Sequence, residues 1–225
     1  HACSFNFYLS IINGIGDWCN YSSKLHYVGQ LWLAQRKHFL STASVERKFL
    51  YQIFGYDYDN IPVTVWNWGR WDFFWLVNHP KELSTLQNNF DNWIDEFRRG
   101  LFFPRFRNNY DTTDSYITII DFDGLDLRSL LSEDVITVIL QLFSKLQGVA
   151  GGIAYGFILN ANHITEQVIS MAKPFAGNFL ERMEVFGTKS EKWIPNLLKT
   201  IPRNQLPPAY GGNVDFEPVV TCNFI

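Results

Sequence analysis

Hydrophobic and polar positions change period several times along the chain. In residues 24–41, KLHYVGQLWLAQRKHFLS, Leu25, Val28, Leu31, Trp32 and Phe39 recur at helical spacing, and residues 45–54 read as a second short helix. YDYDNIPVTVWNWGRWD, from Tyr56, then gives a turn and an alternating strand. Val63, Val65 and Asn67 face one way; Thr64, Trp66 and Trp68 face the other. Residues 80–99 return to helical spacing, with Pro80 at the start, a Phe90, Trp93, Ile94, Phe97 stripe and Arg98-Arg99 at the C-terminal end. SYITIIDFDGLDL, 115–127, is a β-branched strand running into an Asp-x-Asp-Gly turn. Residues 132–147 form a helix capped by Ser132, with Glu133 and Asp134 in its first turn.

GVAGGIAYGFILNANH, 148–163, has no formal charge and four glycines before an Asn-Ala-Asn-His corner. Gly151-Gly152, Gly156 and Asn160 break it too often for a bilayer-spanning helix. Phe157 stands where a phosphate loop needs lysine. A strand buried on both faces remains. Beyond it, Ile164, Val168, Met171, Ala172, Phe175 and Phe179 mark a helix bent near Pro174. MEVFG is a short strand, 189–200 a helix, IPRNQLPPAYGG a turn segment, and the tail to Ile225 extended. Strands alternating with helices predict an α/β fold with a mostly parallel sheet and right-handed crossovers. The expected division is a helical N-terminal segment 1–55, a main domain 56–213 and an extended tail 214–225.

Composition narrows the function. The 225 residues carry a net charge of −3, so no basic field exists to hold nucleic acid. Arg98-Arg99 and Arg105-Phe-Arg107 are short solvated faces. Aromatics are abundant, with 20 Phe, 10 Tyr and 8 Trp. Among Cys3, Cys19 and Cys222, loop closure favours Cys3 with Cys19, although spacing alone does not exclude the other pairings. Asn20-Tyr21-Ser22 is a glycosylation sequon. These features, with a chain opening at His1, tilt the expectation towards a secreted protein; a cytoplasmic one is the alternative. There is no Gly-x-Ser-x-Gly, His-Glu-x-x-His or Cys-x-x-Cys, and the five histidines are scattered. His163, at the strand-to-helix corner, reads as a capping residue before a ligand handle. Asp57, Asp59, Asp121, Asp123 and Asp126 miss calcium-loop spacing and suit turns. No catalytic residue, metal site or catalytic cofactor is expected, and the chain reads as a non-enzyme.

Four blocks, taken in order, resemble the CRAL-TRIO (Sec14-like) lipid-binding domain. They are YDYDNIPVTVWNWGRWD, YITIIDFDGLDL, GFILNANHITEQVISMAKPF and WIPNLLKTIPRNQLPPAYGG. The resemblance covers residues 56 to about 213 and implies a sheet floor, surrounding helices and a helical lid over a deep apolar pocket for one lipophilic molecule. It places the Gly/Ala-rich strand in the floor and the helix from Ile164 to Phe179 as the lid. The ligand-binding set it implies is Trp66, Ile117, Ile119, Leu127, Leu130, Ile153, Tyr155, Phe157, Leu159, Val168, Met171, Phe175 and Phe179. Trp68, Trp71 and Trp75 could equally stack on a ligand or fill the core. Phospholipid-exchanging members carry Tyr-Pro-Glu-Arg where this chain has Val149, Ala150, Gly151 and Gly152. A family lysine falls near Arg182. Loss of the head-group acid, with the high aromatic content, turns the expected ligand from a phosphoinositide towards an isoprenoid such as a carotenoid, retinoid or tocopherol. The expected partners are that ligand, a membrane met through the lid helix and, as an open option, another copy of the chain. The alternative is a protein- or membrane-docking module with the same fold and a filled pocket.

Overall fold

A computed structural model describes residues 19–21, 49–100, 115–125 and 131–225. The strands are β1 (Cys19–Tyr21), β2 (Leu50–Tyr56), β3 (Pro62–Trp66), β4 (Tyr116–Asp121), β5 (Ile153–Leu159), β6 (Met183–Val185) and β7 (Val220–Asn223). The helices are α1 (Phe73–Val77), α2 (Pro80–Arg98), α3 (Glu133–Leu146), α4 (His163–Leu180) and α5 (Ser190–Thr200). One sheet runs in the order β1-β7-β2-β3-β4-β5-β6. Strands β3 to β6 are parallel, as the alternation of strands and helices requires. The flank β1-β7-β2-β3 is antiparallel throughout.

That flank comes from segments the pattern reads differently. Residues 45–54 are expected to be helical, yet Leu50 to Tyr56 form a strand. Phe49, Leu50, Ile53 and Phe54 have helix-like spacing in sequence. Along this segment Phe49, Tyr51 and Ile53 line one layer by ordinary alternation and Phe54 lies in the other, so the helix-like spacing comes from two buried faces; a β-bulge follows between Ile53 and Gly55. Asp57 sets the hairpin to β3: its Oδ1 accepts from the N–H groups of Asp59 (2.8 Å) and Ile61 (2.7 Å). The extended tail supplies β7, between β1 and β2. The helix expected over 24–41 lies outside the described residues.

The sheet separates two apolar layers. Tyr51, Trp66, Ile120 and Ile158 pack with Phe90 and Trp93 of α2, Phe143 of α3 and Val168 and Phe179 of α4. On the other face Val65, Ile119, Phe157 and Leu159 pack with Trp193 and Leu197 of α5. Parallel pairing Trp66–Ile120–Ile158 against Val65–Ile119–Phe157 carries the period-2 alternation across three strands. By length and composition, α3 and the turn after it could cross a membrane. Here its apolar side, including Val135, Ile139, Leu142 and Phe143, is core. Its N-cap is as expected, with Ser132 Oγ accepting from Val135 N at 3.4 Å.

Candidate functional site

The four sequence blocks converge at the carboxyl ends of the parallel strands. Asp121, closing β4, accepts through Oδ1 from Asn160 Nδ2 (2.8 Å) and its own turn's Asp123 N–H (2.8 Å). Its Oδ2 accepts from the Tyr210 hydroxyl at 2.7 Å, and that hydroxyl lies 3.2 Å from Asn67 Oδ1. Each block thus contributes one residue: Asn67, Asp121, Asn160 and Tyr210. Asn160 takes a left-handed backbone (φ 57), which asparagine tolerates and which aims its amide back at Asp121. Burial, then the charge and hydrogen bond of Asp121, push the Tyr210 hydroxyl far above the usual tyrosine range. Tyr210 is therefore the neutral donor of the pair. Gly212 completes the joint, because a Cβ there would collide with the Leu206 backbone.

At the other ends of these strands Tyr155 donates to Asp57 Oδ2 at 3.0 Å, tying β5 to the β2–β3 turn. Tyr116 donates to Val149 O at 3.2 Å and Arg182 to Ile153 O at 2.8 Å. Burial pushes the Tyr116 hydroxyl up, against the opposing pull of Arg182. Arg182, the cation expected near the family's lysine, is thus committed to a backbone carbonyl. His163 is exposed at the first turn of α4, and Asn162 is the cap, accepting from the N–H groups of Ile164 (3.0 Å) and Thr165 (2.9 Å).

The expected ligand-binding residues do not share one chamber. Trp66, Ile153, Val168 and Phe179 are buried on the α2–α3–α4 face. Ile117, Ile119, Phe157 and Leu159 are buried on the α5 face, with Tyr155 packed against them. Only the first group lies on the α4 side of the sheet, which removes the second from a pocket roofed by that helix. β4 and β5 alternate, and their register places Ile120 and Ile158 beside Trp66, with Ile119 and Phe157 on the opposite face. Met171 (47% exposed) and Phe175 (55%) face outward from α4. Leu127 and Leu130 lie outside the described residues.

The Gly/Ala-rich strand leaves less room than its composition implies. A Cβ on Gly156 would collide with Met183 Sδ and stand 3.1 Å from Thr118 Cγ2, so the thioether of β6 occupies the vacated space. Above Trp66, Phe224 from the tail lies stacked at 5.7 Å, with Tyr51 at 4.9 Å on Trp66 as well. A cavity of about 480 Å³ does occur at the carboxyl ends of the strands, on the α5 side. Its walls mix Phe54, Trp193 and Phe216 with Arg70, Asp121 and Asp123. Among the described residues no group of three or more His, Cys, Asp or Glu is placed to hold a metal ion.

Cys222 is disulfide-bonded. With three cysteines in the chain, that bond takes one of the other two and excludes the Cys3–Cys19 pairing that loop closure favours. Cys3 lies outside the described residues.

A family model described as the CRAL/TRIO domain matches residues 46–212. Among solved structures the chain is similar to one titled "Crystal structure of Sfh5", at 15% identity and a TM-score of 0.43, over 71% of this chain and 54% of that one. The chain therefore spans about half the length of that structure's chain. A search of curated proteins finds no match.

Proposed function

Because the chain belongs to the CRAL/TRIO domain family, whose members bind and transfer lipids and other small hydrophobic molecules, we propose that it carries one isoprenoid-class lipophile between the Trp66 face of the sheet and helix α4. The observation that supports this reading is the build of α4. Its inner side, Val168, Ile169, Ala172 and Phe179, is buried on the apolar cluster. The helix contains Pro174 and leaves helical geometry at Ala176 (φ −135°, ψ 29°). Such a break lets the first part of the helix lift while the second stays seated. Met171 and Phe175, outward just before the break, give it an apolar contact for a membrane surface.

The isoprenoid class is supported by the residues of this face. Trp66, Trp68, Trp71, Phe90 and Phe143 supply flat aromatic surface on this face. Arg182 is already engaged, and Val149 to Gly152 offer no acid, so a phosphoinositide head group has little to grip. Burying roughly 500 Å² of ligand would contribute about 12 kcal/mol gross, most of it offset by association and ordering costs. The sequon at Asn20 and the Cys222 disulfide support a secreted glycoprotein.

Extraction of natively produced protein with organic solvent, followed by mass spectrometry and absorbance, tests the reading. A stoichiometric isoprenoid is expected. An empty extract, with no tightening of any offered lipophile, would instead support the second reading, a docking module whose interior is filled by its own side chains. Met183 beneath Gly156 and Phe224 on Trp66 are the observations that favour it.

A further inference from the structure

We infer that Cys19 is the partner of the Cys222 disulfide, and that this bond is the clamp fastening edge strand β1 to β7 and holding the tail in the sheet. Cys222 is disulfide-bonded and 1% exposed. In the antiparallel ladder the residue directly opposite it is Cys19, flanked by Asn20 opposite Thr221 and Tyr21 opposite Val220. Directly opposed residues of an antiparallel pair stand about 4.5–5.5 Å apart at Cα, inside the range a disulfide spans. A three-residue edge strand has few ladder bonds of its own, so a covalent tie decides whether it stays.

The tie reaches further than β1. Residue Phe224, two beyond Cys222, is buried against Tyr51, Trp66, Trp71 and Phe90. Seating β7 therefore seats the ring that fills the helix-side cluster. The bond forms by exchange: two cysteine thiols give up two protons and two electrons to a disulfide of an oxidising compartment, which becomes two thiols as the Sγ–Sγ bond closes. Cys3 is left outside this pair.

The test uses the full chain made through a secretory route, blocked with N-ethylmaleimide before unfolding and cut with chymotrypsin. Cleavage after Phe5, Trp18, Tyr21, Phe216 and Phe224 separates all three cysteines. After enzymatic removal of N-glycan, which leaves Asp at position 20 where Asn20 was glycosylated, the expected product is peptide 19–21 joined to peptide 217–224. Cys222 joined to a peptide containing Cys3, or recovered as the maleimide adduct, overturns the assignment. Thermal melting tests the clamp. Cys19→Ser, Cys222→Ser and the double variant should each lower Tm by the same ~10 °C, with Cys3→Ser unchanged. A bond found by mass but no fall in Tm on Cys19→Ser overturns the clamping role and leaves the pairing standing.

Discussion

Asp121 holds three separate parts of the chain, because each of its oxygens is taken by a donor from another block or from its own turn. Tyr210→Phe removes one donor to that carboxylate without changing shape, and about 1.5–3 kcal/mol of stability should go with it, a fall in Tm of several degrees in thermal melting. Asn160 does two jobs, so its variants separate them. Asn160→Gly keeps the left-handed backbone and loses only the amide bond, whereas Asn160→Ala loses the bond and strains the backbone. Alanine should cost about 1 kcal/mol more than glycine in urea unfolding; equal losses would remove backbone strain from the explanation. The tyrosines also fix an alkaline limit. Burial raises Tyr116, Tyr155 and Tyr210 above the ordinary value of 10.0. The folded form therefore keeps its protons when the unfolded form has released them. Their contribution is complete below pH 10 and declines as pH rises beyond it. Stability measured from pH 9 to 12 should fall along that slope, and more shallowly in Tyr210→Phe.

At the scale of elements, the central α/β run was legible because its signals are local. Ser132 and the acids after it mark the start of α3, and Pro80 marks the start of α2. The alternation of Val63 and Val65 against Trp66 gave β3 with the correct faces. The four family blocks were legible for a different reason. They carry the Asn67–Asp121–Asn160–Tyr210 joint, which fixes the ends of the strands and not the ligand's surroundings. That is why they identify the domain and leave the pocket residues unsorted. Strand β2 was hidden because both of its faces are buried, with Phe49, Tyr51 and Ile53 in one layer and Phe54 in the other, so neighbouring apolar residues mimic a helical stripe. In β5 the phase was misread because Tyr155, Phe157 and Leu159 look as apolar as the residues between them. Helix α4 offers the sharpest test at this scale. Phe175 is half exposed, so Phe175→Asp should leave circular dichroism and Tm nearly unchanged. The same change should lower transfer of a bound lipophile to vesicles several-fold, since a charge now meets the membrane. Unaltered transfer in a folded Phe175→Asp variant would remove α4 from the route.

At the scale of the molecule, the fold is closed by residues far apart in sequence: β7 enters between β1 and β2, and no local pattern could place it there. Phe224 makes that closure consequential. Its amide donates to Phe49 O (3.1 Å), its carbonyl accepts from Asn89 Nδ2 (2.8 Å), and its ring is wholly buried over Trp66. The same tryptophan is the surface on which a lipophile would stack, so ring and ligand compete for one place. Phe224→Ala removes a buried phenyl and should cost about 3–5 kcal/mol, lowering Tm by roughly 10 °C or more. If the vacated space belongs to the binding region, a lipophile such as retinol should recover part of that loss. The recovery should grow with ligand concentration as RT ln(1 + [L]/Kd), and Trp fluorescence should be quenched as the ligand settles on Trp66. The parent chain should show a smaller effect at each concentration, because it must first displace its own phenyl ring. Equal stabilisation of both chains would put the ligand elsewhere, with the cavity beside Trp193 and Phe216 the next place to look.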